Sequence, residues 1–373
     1  MKIGIITFHA VYNYGAVLQA YALENALIDM GCEAEIIDFR RKQQADYTSL
    51  YSNRNGIKSI IKNALLLPLH KKRKMRANKF ETFFNTRLKL SAVRYTEENQ
   101  LTNCDKIYST VIAGSDQVWN TTKKYDVSRA YFLDFIKDNK CLKVSYAASI
   151  GSASYEDLLL YKEDIKKFSY ISMREKRGCE IISKLINREV AFVLDPTLML
   201  NEKHYRTLIS ESDYPVEGKY LLYYSLDGVD KKNRNFDILE KLAEKFGLKV
   251  KAILPERPFR YKNFDIINDV GIQDFLKLIQ GAELICTNSF HGTALSIALQ
   301  KPFFVLEKFD GKDDRKQTLL QLLDCKERQI SDIHQINEIS GYAMNLEEVQ
   351  KRLQMERNKS KEFLENIIKM RDL

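Results

Sequence analysis

The sequence is poor in the residues that build linkers and disordered segments. Only 15 Gly and 6 Pro occur among its 373 residues, which argues against low-complexity linkers. Apolar residues make up 45% of the chain and charged residues 29%, both typical of globular proteins. A chain of this length is about right for two or three domains.

Signals for membrane insertion and secretion are also lacking. The sequence has no run of about 18 apolar residues, as a transmembrane helix would require. A strand pattern starts at the N-terminus, without the longer apolar core and cleavage site of a signal peptide. We therefore expect a cytoplasmic protein.

The six cysteines are widely spaced, and no pair has the C-x-x-C spacing. Scattered cysteines of this kind are typical of a reducing compartment, and no Cys/His cluster predicts a metal site. The dinucleotide fingerprint G-x-G-x-x-G is missing as well, which argues against a dinucleotide site. We expect neither a metal nor a bound cofactor.

Positive charge is concentrated in one segment. Between Lys58 and Lys89 there are ten Lys or Arg residues and one acid, Glu81, so this segment alone carries the +9 net charge of the chain. No nucleic-acid-binding motif accompanies it, and nucleic acid is not an expected partner. Apolar clusters mixed with Lys across residues 57–89 suggest reversible contact with the inner face of a membrane. The alternative is a solvated helical excursion.

Strand and helix patterns alternate along most of the chain, which predicts parallel sheets with helices on both faces. We expect an α/β protein of two Rossmann-like domains facing a cleft. The first covers residues 1–200 and carries the basic helical excursion at 56–95, and the second covers 215–340. A helix at 345–373 is expected to pack back on the first domain, and the polar stretch 201–218 marks the boundary.

The most informative motif lies at residues 287–294, between a buried strand and a helix. Ligands of α/β sheets bind where strands end, and helix N-termini favour anions. We therefore predict a phosphate or carboxylate site in which the N–H groups of Gly292 and Thr293 join the side chain of Ser289. His291 would be its functional side chain rather than a structural one. The candidate residues of this motif are Asn288, Ser289, His291, Gly292 and Thr293.

Three further strand ends carry candidate residues. Asn13 and Gly15 open the first helix, where Asn13 either caps the helix or binds substrate. Asp116 and Gln117 follow another strand, and they either bind a sugar or cap a turn. Arg174 could pair with a carboxylate or phosphate, or form a surface ion pair. Another strand end carries Asp195, for which we favour a structural role near the cleft.

Together, six segments in this order resemble the polysaccharide pyruvyl transferase family. The resemblance spans residues 1 to about 325, and its segments are residues 9–23, 114–120, 145–151, 172–178, 195–197 and 287–302. It implies the architecture of two-domain glycosyltransferases of the B type, without their use of nucleotide sugars. It also implies transfer of the enolpyruvyl unit of phosphoenolpyruvate onto two hydroxyls of a sugar, giving a cyclic ketal. Family members use an Arg and a His for phosphoenolpyruvate, and Arg174 and His291 are the best matches.

The resulting hypothesis is a pyruvyl transferase that acts on a capsule or exopolysaccharide precursor, free or lipid-linked. His291 would be the acid or a phosphate ligand, Arg174 a carboxylate clamp, and Asp116 a base or sugar ligand. One alternative is a glycosyltransferase of the same architecture that uses a nucleotide sugar. The other is a non-catalytic subunit that binds anions or glycans in a polysaccharide assembly complex.

Overall fold

The fold is known from a computed structural model of the chain. It describes residues 2–42, 48–51, 56–122, 127–225, 234–254, 261, 263–306 and 314–370. The side chains of Ile57, Lys58, Lys62 and Arg234 also lie outside the described part. The membrane contact predicted for residues 57–89 includes Lys58 and Lys62. For these two lysines the prediction lies outside the described part of the structure.

The first sheet is parallel throughout, with the strand order β3-β2-β1-β4-β5-β6-β7. Its central strands are rich in Val, Ile and Ala and are buried on both faces, as parallel strands covered by helices must be. The strands are β1 (Lys2–Ile6), β2 (Glu33–Phe39), β3 (Leu90–Tyr95), β4 (Thr110–Ala113), β5 (Leu142–Ala148), β6 (Tyr170–Met173) and β7 (Ala191–Phe192).

The second sheet is also parallel, with the order β10-β9-β8-β11-β12-β13. In both sheets the strand order reverses direction beside the first strand of the domain, at β1/β4 and at β8/β11. The strands are β8 (Tyr220–Tyr224), β9 (Lys249–Ile253), β10 (Asp265–Ile267), β11 (Leu284–Thr287), β12 (Phe303–Leu306) and β13 (Gln329–Ile330). The predicted α/β fold of two parallel-sheet domains is therefore confirmed.

Helices connect the strands of both sheets. In the first half they are α1 (Tyr14–Asp29), α2 (Ile57–Leu66), α3 (His70–Arg87), α4 (Cys104–Ile107), α5 (Tyr155–Leu158), α6 (Lys162–Lys166), α7 (Lys176–Ile186), α8 (Pro196–Met199) and α9 (Glu202–Ser210). The later ones are α10 (Arg234–Phe246), α11 (Ile272–Gly281), α12 (Phe290–Ala298), α13 (Asp314–Leu322), α14 (Gln335–Glu338) and α15 (Leu346–Lys369). Short 3₁₀ turns occur at Leu67–Leu69, Glu98–Asn103, Arg129–Phe132, Leu159–Tyr161 and Lys326–Arg328.

The predicted helical excursion at 56–95 needs a correction at its end. Helices α2 and α3 occupy it only as far as Arg87, and β3 then forms the edge of the first sheet. Nor is α3 a solvated helix, because it buries Phe80, Phe83 and Phe84. Several of its cations have acidic partners, including the pairs Lys79–Asp274 (2.6 Å) and Arg87–Glu211 (2.7 Å).

Aromatic packing joins the two domains. Tyr14, at the start of α1, stacks on Phe275 of α11 with ring centroids 4.4 Å apart, and its hydroxyl donates to the carbonyl of Val270. Tyr224 meets the edge of Tyr14 from the second sheet. Burial of these rings holds the two sheets together beside the N-terminus of α1.

The last helix crosses back to the first domain. In α15, Ser360 Oγ accepts a hydrogen bond from the Leu194 amide, and Arg357 Nε donates to the carbonyl of Leu198. The polar stretch 201–218 is not a plain linker, because it contains α9, which buries Tyr205 and Leu208. In the described part of the chain, no helix is long and apolar enough to cross a membrane.

Candidate functional site

The predicted motifs meet at the carboxyl ends of the strands. Asn13 follows β1, Asp116 follows β4 and Arg174 follows β6, while His291 begins the helix after β11. In both sheets the reversal of strand order lies at this edge, and such a crevice is where open α/β sheets bind ligands. Side chains of the two domains are in direct contact there.

The guanidinium of Arg174 is the centre of this cluster. Its side chain is fully buried; Nη1 donates to Asp195 Oδ2 at 2.7 Å, and Nη2 donates to Asp116 Oδ1 at 2.9 Å. Within the described residues, its buried Nε has no hydrogen-bond partner. This N–H belongs to a rigid, always-charged fork whose two terminal nitrogens are already paired with carboxylates. The alternative expectation, a surface ion pair, does not hold, because the side chain of Arg174 is fully buried with its carboxylate partners.

His291 reaches this cluster from the other domain. Its Nε2 lies 3.3 Å from Arg174 Nη1 and 3.6 Å from Asp195 Oδ2, and the residue is only 5% exposed. The imidazole therefore sits between a fixed cation and a carboxylate. Because one residue comes from each sheet, the pair exists only while the two domains face each other.

The two carboxylate oxygens of Asp195 have different hydrogen-bond partners. Oδ1 accepts from the amide and hydroxyl of Thr197 and so caps α8, as the sequence suggested. Oδ2 accepts from Ser115 Oγ at 3.0 Å and from Arg174. Burial would raise the pKa of Asp195, but the charges of His291 and Arg174 hold it far below its usual range. Asp195 is therefore a permanent anion that orients both groups.

Asp116 is also held as an anion. Burial opposes its ionisation, but Arg174, His291 and Arg315 hold its pKa below the usual range. A carboxylate stabilised in this way is a weak proton acceptor. This argues against the role of general base, one of the two roles predicted for Asp116.

The N-terminus of α12 differs from the predicted phosphate cradle. The amide of Gly292 donates to Ser289 Oγ at 3.3 Å, and the amide of Thr293 donates to the Ser289 carbonyl at 3.0 Å. Both donors therefore have partners within the helix. Gly292 is needed for packing, because a Cβ there would lie 2.3 Å from Thr287 Oγ1.

The other predicted ligand residues lie around the same edge. The side chain of Asn13 accepts from the amides of Gly15 and Ala16, so it has the capping role. The carbonyl of Asn288 accepts from Lys316 Nζ at 3.0 Å. With the amide oxygen of Gln117 turned toward Arg315, the two guanidinium nitrogens lie 3.1 and 3.2 Å from it.

Two cations of α13 were missed by the sequence reasoning. Arg315 and Lys316 are 8% and 3% exposed, and Arg315 shares the ring of Phe290 with Arg174. The guanidinium carbon of Arg315 lies 5.6 Å from the centroid of the Phe290 ring, and that of Arg174 lies 4.7 Å from it. The only sequence signal was a pair of adjacent cations at the start of a helix, which is ordinary on a protein surface.

With these residues, three fixed cations, Arg174, Arg315 and Lys316, face two carboxylates that are held ionised, Asp116 and Asp195. A third carboxyl group, Glu175, also lies near Arg174 and Arg315, but burial raises its pKa to about 7, so it is partly protonated near neutral pH. A partly desolvated cleft with this balance attracts a small polyanion. Among the described residues, no three His, Cys, Asp or Glu side chains are grouped so as to hold a metal ion.

The contact of Gly15 with His291 gives a first prediction. A Cβ on Gly15 would lie 2.3 Å from the imidazole Cγ and 2.5 Å from its Cβ, the near end of that side chain. Gly15→Ala should therefore displace the ring, with kcat/KM lower by about tenfold or more and stability lower by about 1–3 kcal/mol. Steady-state kinetics and urea denaturation measure these effects.

The matched control is Gly341→Ala, because nothing lies within 4 Å of a Cβ at that position. It should change neither quantity. If Gly15→Ala leaves kcat/KM unchanged, the position of the His291 ring does not matter for turnover.

Glu175 gives a second prediction, on pH. It is fully buried, and burial raises its pKa from 4.5 to about 7, with the charges of Arg174 and Arg315 partly opposing the shift. The folded state thus holds a proton that the unfolded state loses, so wild-type stability should fall between about pH 5 and about pH 8. Glu175→Gln should gain about 2–3 kcal/mol relative to wild type over that interval.

Urea denaturation at both pH values measures this gain. Glu180→Gln, on the exposed face of α7, is the control and should show no such trend. A constant difference between wild type and Glu175→Gln across the interval would mean that Glu175 does not titrate there.

The comparisons with known proteins agree with this architecture. Similar solved structures include the UDP-GlcNAc 2-epimerase of Neisseria meningitidis (12% identity, TM-score 0.51, covering 99% of this chain and 100% of that one). An O-GlcNAc transferase mutant of Thermobaculum terrenum is 10% identical, with TM-score 0.51 and coverage of 100% and 67%. UGT73P12 of Glycyrrhiza uralensis is 10% identical, with TM-score 0.53 and coverage of 100% and 96%.

At such identities these structures establish the fold alone, which is that of B-type glycosyltransferases and epimerases. No curated protein sequence matches the chain. The family model "Polysaccharide pyruvyl transferase" matches residues 13–307, which include His291, Arg174 and Asp116. The chain therefore belongs to the polysaccharide pyruvyl transferase family, a family of transferases.

Proposed function

We propose that this transferase moves the enolpyruvyl unit of phosphoenolpyruvate onto a sugar of a surface-polysaccharide precursor and forms a pyruvate ketal. The observation that carries the proposal is the buried contact between Arg174 of one domain and His291 of the other, 3.3 Å apart in a cleft with excess positive charge. Phosphoenolpyruvate presents a carboxylate and a phosphate close together. Two guanidinium groups around Phe290 suit such a ligand.

The roles follow from the contacts. Arg174 binds the carboxylate through its unpartnered Nε, while Asp116 and Asp195 fix the plane of its guanidinium. Arg315 exchanges the Gln117 oxygen for a phosphate oxygen. Phosphate binding thus relies on side-chain cations, since the amides of α12 are already bonded.

The chemistry is acid–base and needs no redox step. His291 gives a proton to C3 of phosphoenolpyruvate, which becomes the methyl group, and C2 acquires oxocarbenium character. One sugar hydroxyl attacks C2 and loses its proton, the bond from C2 to the phosphate oxygen breaks, and the second hydroxyl closes the ketal. The proton of one hydroxyl restores the acid, and that of the other leaves with phosphate. His291 can therefore serve first as acid and then as base.

The acceptor is a free or lipid-linked precursor of a capsule or exopolysaccharide, entering beside Asp116. Peripheral contact of residues 57–89 with the inner face of the membrane would bring a lipid-linked form near the cleft. No bound cofactor takes part in this scheme.

Turnover with candidate glycans tests the proposal. Enzyme and phosphoenolpyruvate should release phosphate only with a suitable acceptor. Mass spectrometry should find the glycan heavier by one carboxyethylidene group less the two hydroxyl hydrogens that it replaces. Phosphoenolpyruvate at about 100 times its Kd should stabilise the protein by about 2.7 kcal/mol. Stabilisation by a nucleotide sugar instead would indicate a glycosyltransferase, and binding of phosphoenolpyruvate without turnover across acceptors would indicate a binding subunit.

A further inference from the structure

Among the described side chains of α2, the large ones turned outward are apolar. Ile60 is 67% exposed, Ile61 54% and Leu65 45%, and Leu67 of the following turn is 61% exposed. An ordinary surface helix presents polar residues to solvent. The opposite side of α2 is anchored, because Leu66 is buried. These four exposed residues, Ile60, Ile61, Leu65 and Leu67, are called the α2 surface below.

Positive charge borders the α2 surface. Lys71 and Lys74 are exposed on the first turns of α3, beside Met75, which is 44% exposed. The sequence has no Asp or Glu from residue 47 to residue 80. Further along α3 the cations turn inward: Arg76 donates to Tyr14 Oη, and Lys79 pairs with Asp274. The outward charge is therefore concentrated next to the apolar face.

An apolar stripe next to clustered lysines matches the chemistry of a bilayer interface, where apolar side chains enter the acyl boundary and cations meet anionic headgroups. A second copy of this chain is a poorer occupant, because it would bring the same cations against each other. We infer that the α2 surface, with Lys71 and Lys74, docks the protein reversibly on an anionic phospholipid bilayer.

Docking would also orient the cleft. Helix α3 leads from the basic turn to Arg76, which holds Tyr14 immediately before Gly15, the residue packed on His291. Helix α3 thus links the basic turn beside the α2 surface to the start of α1, where Gly15 packs on His291. Docking itself needs no substrate and does not depend on the proposed function. Only the idea that docking brings the cleft to a lipid-linked acceptor rests on that function.

Vesicle sedimentation of the full chain tests the inference, with phosphatidylcholine vesicles and with vesicles that also contain phosphatidylglycerol. The protein should pellet with the anionic vesicles at low salt and be released at high salt. Each cation near an anionic leaflet contributes roughly fivefold to affinity, so Lys71→Gln/Lys74→Gln should weaken binding by about tenfold or more. Ile60→Ser/Leu67→Ser should weaken it by at least about tenfold, since each removes an exposed apolar side chain.

The matched controls are Leu160→Ser, at a leucine 71% exposed elsewhere, and Lys203→Gln/Lys241→Gln, at two exposed lysines. Neither should change vesicle binding, and all variants should keep wild-type unfolding transitions. Failure to pellet with anionic vesicles at low salt would overturn the inference, as would equal binding by the α2 variants and their controls. A dimer that Ile60→Ser/Leu67→Ser dissociates, without vesicle binding, would make a second copy the occupant. None of these outcomes depends on phosphoenolpyruvate, so they leave the proposed reaction to its own test.

Discussion

His291→Ala is expected to lower kcat by about 10²–10⁴-fold, the range for loss of a general acid. The fold should survive, because without the imidazole ring the buried carboxylate of Asp195 still accepts hydrogen bonds from Arg174, Ser115 and Thr197. Phosphate release at saturating phosphoenolpyruvate and acceptor measures kcat. A thermal unfolding transition near that of wild type shows that the loss is chemical.

The same variant separates two roles of His291. A proton donor acts on the reacting carbon, so its removal lowers kcat, whereas a group that only holds the phosphate acts mainly through KM. His334→Ala, at an exposed histidine, is the matched control and should leave both constants unchanged. A wild-type kcat for His291→Ala would exclude the residue from proton transfer.

The local sequence pattern was sufficient to place a candidate site residue where that residue follows a buried strand. The apolar run before Thr287 and the small, hydroxyl-rich residues after it predict a strand, a turn and a helix, and these lie at Leu284–Thr287 and Phe290–Ala298. The same logic put Asp116 and Arg174 at strand ends. Parallel strands then bring such ends to one edge of the sheet.

Contacts that depend on distant packing were not predictable in this way. Arg315 follows no recognisable strand-end motif, and its approach to Gln117 depends on how the two domains face each other. Strand β3 was missed because it is an edge strand whose Val93 and Arg94 point to solvent, which weakens its apolar pattern. Asp195 looked like a helix cap, and nothing in its sequence shows that its second oxygen meets Arg174.

Arg174→Ala is expected to have two separate effects. Phosphoenolpyruvate should bind about 10–100-fold more weakly, because hydrogen bonds to charged groups contribute about 1.5–3 kcal/mol. The protein should also lose about 3–5 kcal/mol of stability, because Asp195, which is fully buried, loses the strongest partner of its Oδ2 atom. Isothermal calorimetry measures the first effect and urea denaturation the second.

A double variant distinguishes these effects. In Arg174→Ala/Asp195→Asn the buried charge of Asp195 is gone, so the stability that its unpaired charge cost should return, while Asp116 still lacks its Arg174 partner. Phosphoenolpyruvate binding should stay weak. Arg177→Ala is the matched arginine control, because Arg177 donates to the carbonyls of Gly151 and Ala153 and to no carboxylate among its described contacts. It should bind phosphoenolpyruvate within about threefold of wild type. Wild-type binding by the double variant would show that Arg174 serves the fold and not the donor, and the carboxylate clamp would then have to be assigned to Arg315.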